Sequence, residues 1–346
     1  MSYQNACEQT GSIETALPAV DVEAHPLSSA CDMGTWRLGG SYQAADSEGN
    51  SIRILDLYRF NSLIKARCLT RDFPNLPEVG DLVTIQGVLQ KDSLGEYVHL
   101  TALTDTEVLE NTACVFDLVL PDWVVDSRLI DRAIILWRQL SPHYRELVNA
   151  VFANACILRN FMLGPGSLNG HHSRRGGNFQ HAVETAESAL SLVSHFNRAD
   201  LDTTLSAALL HDAGKALEYV REGSGWIITD RGKLVGHKVA TLQIVTLGLS
   251  KIKSLSPSQR NGLIHALSAC PAPEWVGLRP PMTPEAMILS AVDRLNGKSD
   301  LIGSCFNPDS RWGRPHPHLP GSAFTLTTPL PSVAQPAPDD AVAHHE

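Results

Sequence analysis

Four side chains in this 346-residue sequence have the chemistry and placement to hold a divalent cation: His181, the adjacent pair His211 and Asp212, and Asp293. Imidazole and carboxylate suit a borderline or hard ion, and such groups converging from separate helices leave positions open for water and substrate. An ion held this way lowers the pKa of coordinated water and offsets charge developing on a phosphoryl oxygen, so the set points to hydrolysis of a phosphate ester. The segment ALLHDAGK (208–215) puts a carboxylate directly after an apolar helical face, an expensive position unless something compensates the charge. Gly214 behind it frees the backbone to leave the helix.

The elements that must position these residues are helical. From about Asp126 apolar residues recur at three- and four-residue intervals, as in RLIDRAIILWRQL, AVETAESALSLVSHF, TTLSAALLHDAG and PEAMILSAVDRL. Thr283 before Pro284 and Glu285 predicts an N-cap with proline at the first helical position, marking the helix that carries Asp293. Between Gly34 and Glu110 the pattern is short and alternating instead: SIRILDLYRF, LIKARCLT, DLVTIQGVLQ and EYVHLTALT, separated by turn-rich PNLPEVGD and KDSLGE. This predicts an antiparallel meander closing into a small barrel. The expected organisation is a disordered segment over 1–33, an OB-like barrel over 34–110, an all-α domain over 111–304 and a Pro-rich disordered tail over 305–346, where eight of the 21 prolines fall.

Composition excludes other classes. Hydrophobic residues at 43% and charged residues at 19% are ordinary for a globular protein. No apolar run approaches the ~18 residues of a membrane span, and MSYQNACEQTGSIETALPAV lacks the basic and apolar regions of a leader, so a cytoplasmic protein is expected. The net charge of −9 opposes a generally basic nucleic-acid binder but allows a local basic groove. Seven scattered cysteines without a CxxC pair read as reduced thiols.

The segments HHSRRGGNFQHA (171–182), AALLHDAGK (207–215), GKLVGH (232–237) and PEAMILSAVDRLNGK (284–298) resemble, in order, the signature segments of HD-domain phosphohydrolases, and most of all those of YhaM-type 3′-to-5′ exoribonucleases. In that family an OB-fold precedes the HD domain, as the strand pattern predicts here. The resemblance covers Gly34 to Ser304, weakly through the barrel and strongly from His171 to Lys298. It implies His181, His211, Asp212 and Asp293 as primary metal ligands, with His237 a further active-site histidine and Lys215 a phosphate-contacting cation. A solvated helix-end cation is the other reading of Lys215. His171, His172, Arg174 and Arg175 read as a substrate-facing loop, with an exposed polar turn as the alternative. Where family members carry a histidine pair this chain has Ala269 and Cys270, so a second ion loses ligands; His265, one turn earlier, is a candidate replacement.

In the barrel, seven Lys/Arg stand against eleven Asp/Glu, yet five basic residues between Arg53 and Arg71 face only Asp56. Arg53, Arg59, Lys65 and Arg67 are interleaved with Tyr58 and Phe60, the mixture of cations and stacking aromatics a single-strand groove uses. Tyr58 and Phe60 as core residues is the equal alternative. The function expected is a metal-dependent phosphodiesterase, a 3′-to-5′ exonuclease on single-stranded RNA or DNA. Its expected ion is Mn²⁺, with one tight site and at most a weaker second; no membrane partner is expected, and a homo-oligomer is allowed. The alternatives are an HD phosphohydrolase acting on a small nucleotide, and a catalytically degenerate nucleic-acid-binding regulator.

Overall fold

The computed structural model describes residues 31–93, 95–106, 109–269, 278–307 and 310–326. Five strands, β1 (Cys31–Ala45), β2 (Ser51–Arg59), β3 (Ser62–Leu69), β4 (Leu82–Asp92) and β5 (Gly95–Asp105), close into a barrel in the order β1-β2-β3-β5-β4. It is OB-like, but not the simple meander expected: β5 lies between β3 and β4 and runs parallel to β3, pairing Ala66 with Val98 and Arg67 with His99. β1 went unpredicted because Gly34, Gly39 and Gly40 interrupt its alternation. Those glycines lie at the register shifts between Asp32 and Gly34 and between Leu38 and Gly40, where the strand bends so that one half pairs with β4 and the other with β2. Inward-facing Trp36, Leu38, Leu55, Leu57, Ala66, Val83, Ile85, Val98 and Leu100 fill the barrel.

The helical region holds α1 (Ser127–Gln139), α2 (Pro142–Phe152), α3 (Ala155–Leu163), α4 (Gly177–Val193), α5 (Leu201–Leu210), the short α6 (Lys215–Glu218) and α7 (Asp230–Leu234), α8 (Gly236–Lys251), α9 (Pro257–Ser268) and α10 (Pro284–Ser304). A hairpin of β6 (Tyr219–Glu222) and β7 (Gly225–Ile228) follows α6. Residues of α5 from Thr203 to Leu210 are all buried, so this helix is central. Asp200 caps it by accepting from the Thr203 amide at 2.8 Å. α10 starts as predicted, with the Thr283 hydroxyl accepting from the Ala286 amide. Among the described residues, no helix is long and apolar enough to cross a membrane.

Barrel and helices are joined through a buried cation. Arg37 of β1 is fully buried; it donates from Nε to the Leu118 carbonyl and from Nη1 to the Gly80 carbonyl at 2.6 Å, and it lies over the Trp123 ring. Tyr58 and Phe60, each half-buried, pack against the helical core. Their apolar surface is the seam between the two parts of the chain.

Three other expectations are corrected or fall outside the structure. Residues 310–326, expected to be disordered, fold back: the Arg314 amide donates to the Cys305 carbonyl at 2.8 Å, the Gly313 amide to Ala323, and Trp312 pairs with Phe324. The prolines there preclude helix but not a packed turn. Cys156 is disulfide-bonded, whereas Cys68, Cys114 and Cys305 are buried thiols as expected. Of the segment 1–33 expected to be disordered, residues 31–33 instead open β1, where Cys31 and Asp32 pair with Gly87 and Gln86 of β4, and residues 1–30 lie outside the described residues.

Replacing Arg37 by Met would leave two buried carbonyls without their donor. The expected result is a loss of roughly 1–3 kcal/mol for each, read as a lower urea midpoint of the barrel signal; an unchanged midpoint would contradict this assignment.

Candidate metal centre

α4, α5 and α10 bring His181, His211 and Asp293 together, and one ligand atom from each lies within 4.8 Å of the others. The two imidazole Nε2 atoms are 3.2 Å apart. Asp293 Oδ1 is 3.1 Å from His181 Nε2 and 3.7 Å from His211 Nε2. Asp212 Oδ2 is 3.3 Å from His211 Nε2 and 3.7 Å from His181 Nε2. Ligands about 2.0–2.2 Å from one ion stand roughly 3–3.5 Å from each other, and the His181–His211 and His181–Asp293 separations fall in that range, while Asp212 Oδ2 also meets Lys215 Nζ at 2.6 Å.

Proton placement supports the same reading. His211 Nδ1 donates to the Ala208 carbonyl at 2.8 Å, so the neutral form of the ring carries its lone pair on Nε2. His181 Nδ1 lies 2.6 Å from Asn296 Oδ1, an acceptor, so its Nε2 is a lone pair as well. Two lone pairs and two carboxylates facing one another repel unless a cation sits among them, and the donor set suits a divalent one. Burial would raise the Asp212 carboxyl, but the Lys215 ammonium 2.6 Å away outweighs it and holds it well below its ordinary range.

The turn between α5 and α6 is fixed by close approach to α8. A Cβ on Gly214 would stand 2.1 Å from the His237 carbonyl oxygen, so only glycine fits. The Thr241 hydroxyl accepts from the Gly214 amide at 2.9 Å and donates to the His211 carbonyl at 3.1 Å, locking the His-Asp pair to α8.

Lys215 is 6% exposed with Nζ 2.6 Å from Asp212 Oδ2, so it is not a solvated helix-end cation. His237 stands at the opening, its Nε2 3.6 Å from Asp212 Oδ1 and its Nδ1 2.6 Å from Glu218 Oε2. His265 is not brought into the cluster. Its Nε2 accepts from the Met282 amide at 3.0 Å, which takes the lone pair a metal would need. Ala269 closes α9, while Cys270 lies outside the described residues.

The 171–175 loop divides. The His171 ring lies 5.0 Å from that of His181; its Nε2 is buried without a hydrogen-bond partner among the described residues, and burial and then Lys215 pull its pKa down to about 4. His172 is buried, with Nε2 3.2 Å from Glu184 Oε2. Arg174 and Arg175 are exposed, yet both bind protein: Arg174 to Asp300 and Gln180, and Arg175 to the Asp122 carbonyl.

The barrel does not assemble its predicted residues into one groove. Arg67, on β3, is buried against the Tyr97 ring of the neighbouring β5 and against Asp92 at the end of β4. Arg59 stacks over Trp36 and donates to the Thr35 carbonyl, and Arg53 donates to the Pro74 carbonyl. Lys65, half exposed, pairs with Asp56. The sequence reading missed Asn296, Glu184, Glu218 and Asp300. The first had a signal, since it lies three residues after Asp293 on the same helical face.

Fold and centre together define a helical domain with a candidate metal site behind an OB-like barrel. Residues 178–297 match the HD domain family. Over 142 residues the chain is 32% identical to the 3′-5′ exoribonuclease YhaM of Geobacillus sp. (strain WCH70), a match covering 40% of this chain and 42% of that protein. The protein of the same name from Bacillus licheniformis is 30% identical over 151 residues, covering 42% and 46%, and that from Bacillus subtilis (strain 168) is 32% identical over 149 residues, covering 41% and 45%. The chain thus matches less than half of these relatives' length. No solved structure matches it significantly.

Dialysed protein is expected to retain one divalent ion per chain by elemental analysis. His211→Ala should lose it and His237→Ala should keep it. Two equally retained ions would contradict the single complete ligand set.

Proposed function

We propose that this chain is a metal-dependent phosphodiesterase that trims single-stranded RNA, and in principle DNA, from the 3′ end, with Mn²⁺ as its ion. In this reading residues 34–110 hold the strand and residues 111–304 carry the chemistry. The observation that supports it most is the convergence of His181 and His211 lone pairs with the Asp212 and Asp293 carboxylates. The relatives named 3′-5′ exoribonuclease match over the same segment.

His181, His211, Asp212 and Asp293 would hold the ion. When bound, a divalent cation there stabilises charge on a phosphoryl oxygen and makes water a better nucleophile near neutral pH. Lys215 Nζ, buried against Asp212, is a point charge placed to meet a phosphate oxygen. His171, neutral and with a free ring nitrogen, offers a hydrogen bond inside the same cleft. His237 spans Glu218 and Asp212 at the opening, where it can hold a proton between water and the leaving oxygen.

One observation favours the alternative of a small nucleotide substrate. The barrel cations Arg37, Arg59 and Arg67 are engaged by protein groups, which leaves little free charge for a phosphate backbone. Comparing hydrolysis of free nucleotides with that of RNA separates the two.

With end-labelled single-stranded RNA and Mn²⁺, release of mononucleotides from the 3′ end is expected, and Asp212→Ala should abolish it. Shortening from the 5′ end, or undiminished activity in the variant, would reject the mechanism. Neutralising Arg59 and Lys65 together should weaken RNA binding and lower its salt slope by up to about 1 for each phosphate no longer neutralised; an unchanged slope would assign the barrel a structural role.

A further inference from the structure

The centre is backed by a polar network that joins α4, α10 and the 171–175 loop. Asn296 Oδ1 accepts from His181 Nδ1 at 2.6 Å, and Asn296 Nδ2 donates to Glu184 Oε2 at 3.0 Å. Glu184 also accepts from Gln180 Nε2 at 2.7 Å through Oε1, and its Oε2 lies 3.2 Å from His172 Nε2. Gln180 in turn accepts from Arg174, whose other Nη donates to Asp300, and Asp300 accepts from the His172 amide. The network is therefore a closed ring anchored at three places in the chain.

This ring has a definite polarity. A carboxylate only accepts hydrogen bonds, so Glu184 obliges Asn296 to present its amide nitrogen toward α4 and its oxygen toward His181. An oxygen facing His181 Nδ1 requires the proton to be on Nδ1, which leaves Nε2 unprotonated and directed at His211 Nε2 and Asp293. We propose that Asn296, oriented by Glu184, is the positioning residue that sets the tautomer and ring plane of His181, and that Arg174, Gln180 and His172 serve by holding Glu184. The inference rests on the proposed metal role of His181 only for its consequence, since a ligand held in one tautomer binds an ion more tightly. The assignment also gives Arg174 and His172, first read as substrate-facing, a role in holding the centre.

The test uses the full chain. Two-bond ¹⁵N–¹H spectra of the metal-free protein should show His181 protonated at Nδ1, a signature lost in Asn296→Ala and mixed in Glu184→Gln, whose amide allows Asn296 to turn either way. Mn²⁺ affinity, measured by competition with a chelator, should fall about 10–100-fold in Asn296→Ala. The double variant should be no worse than Asn296→Ala alone, because Glu184 acts through Asn296. Circular dichroism separates these effects from misfolding, and the near-isosteric Glu184→Gln provides the reading should Asn296→Ala fail to fold. A parent His181 protonated at Nε2, or a tautomer and affinity both unchanged in the variants, would overturn the proposal. A parent chain that binds no Mn²⁺ but shows the Nδ1 proton, absent after substitution, would sink the metal reading and uphold the positioning role.

Discussion

Two imidazole nitrogens stand 3.2 Å apart inside a protein core, both with their protons turned away from each other. That arrangement is unfavourable by itself and must be held by the surrounding structure. α4 supplies one ring and the end of α5 the other, while α10 contributes both a facing carboxylate and the amide that orients His181. The rigidity comes from ordinary packing: α5 is buried on all sides, and the Gly214 turn lies so close to α8 that no side chain fits between them.

The same constraint organises charge. Asp212 and Glu184 are held as carboxylates against the pressure of burial, each by named partners. For Glu184, burial pushes upward, but hydrogen bonds from His172, Asn296 and Gln180 prevail and keep it at about 2. Negative charge thus accumulates on one side of the cleft, and Lys215 balances part of it. A divalent cation at the convergence point would balance the rest. The cationic side chains of the barrel are consumed differently. Arg37 ties β1 to the segment leading into the helices, and Arg67 is closed off against Asp92.

The candidate ligands, the capped start of α10 and the OB-like barrel each leave a local signature in the sequence: a His-Asp pair behind an apolar face, a Thr-Pro-Glu cap, and alternation with period two. The resemblance of ordered motifs extended this to the HD domain. The residue types and the helix settings of the candidate ligands are local features, so a linear reading reaches them, although not their convergence. β1 escaped it because glycines at bends erase the alternation that marks a strand, and residues 310–326 escaped it because proline content predicts the absence of helix rather than the absence of packing.

Tertiary structure alone decided which polar residues face the centre and which are used elsewhere. Sequence placed His265 near the ligands, but its lone pair faces the Met282 amide. It set Tyr58, Arg59 and Arg67 on one strand pair as a groove, but closure of the barrel and docking of the helices packed half-buried Tyr58 into the seam and buried Arg67 against Asp92. Asn296 and Glu184 carry no motif, and their importance follows from a hydrogen-bond direction that spans 112 residues of chain. The physical reason is common to all of these. A residue's type and local period fix what it can donate, accept or bury, whereas the partner that uses that capacity is brought up by packing between segments distant in sequence, and periodicity carries no information about distant partners.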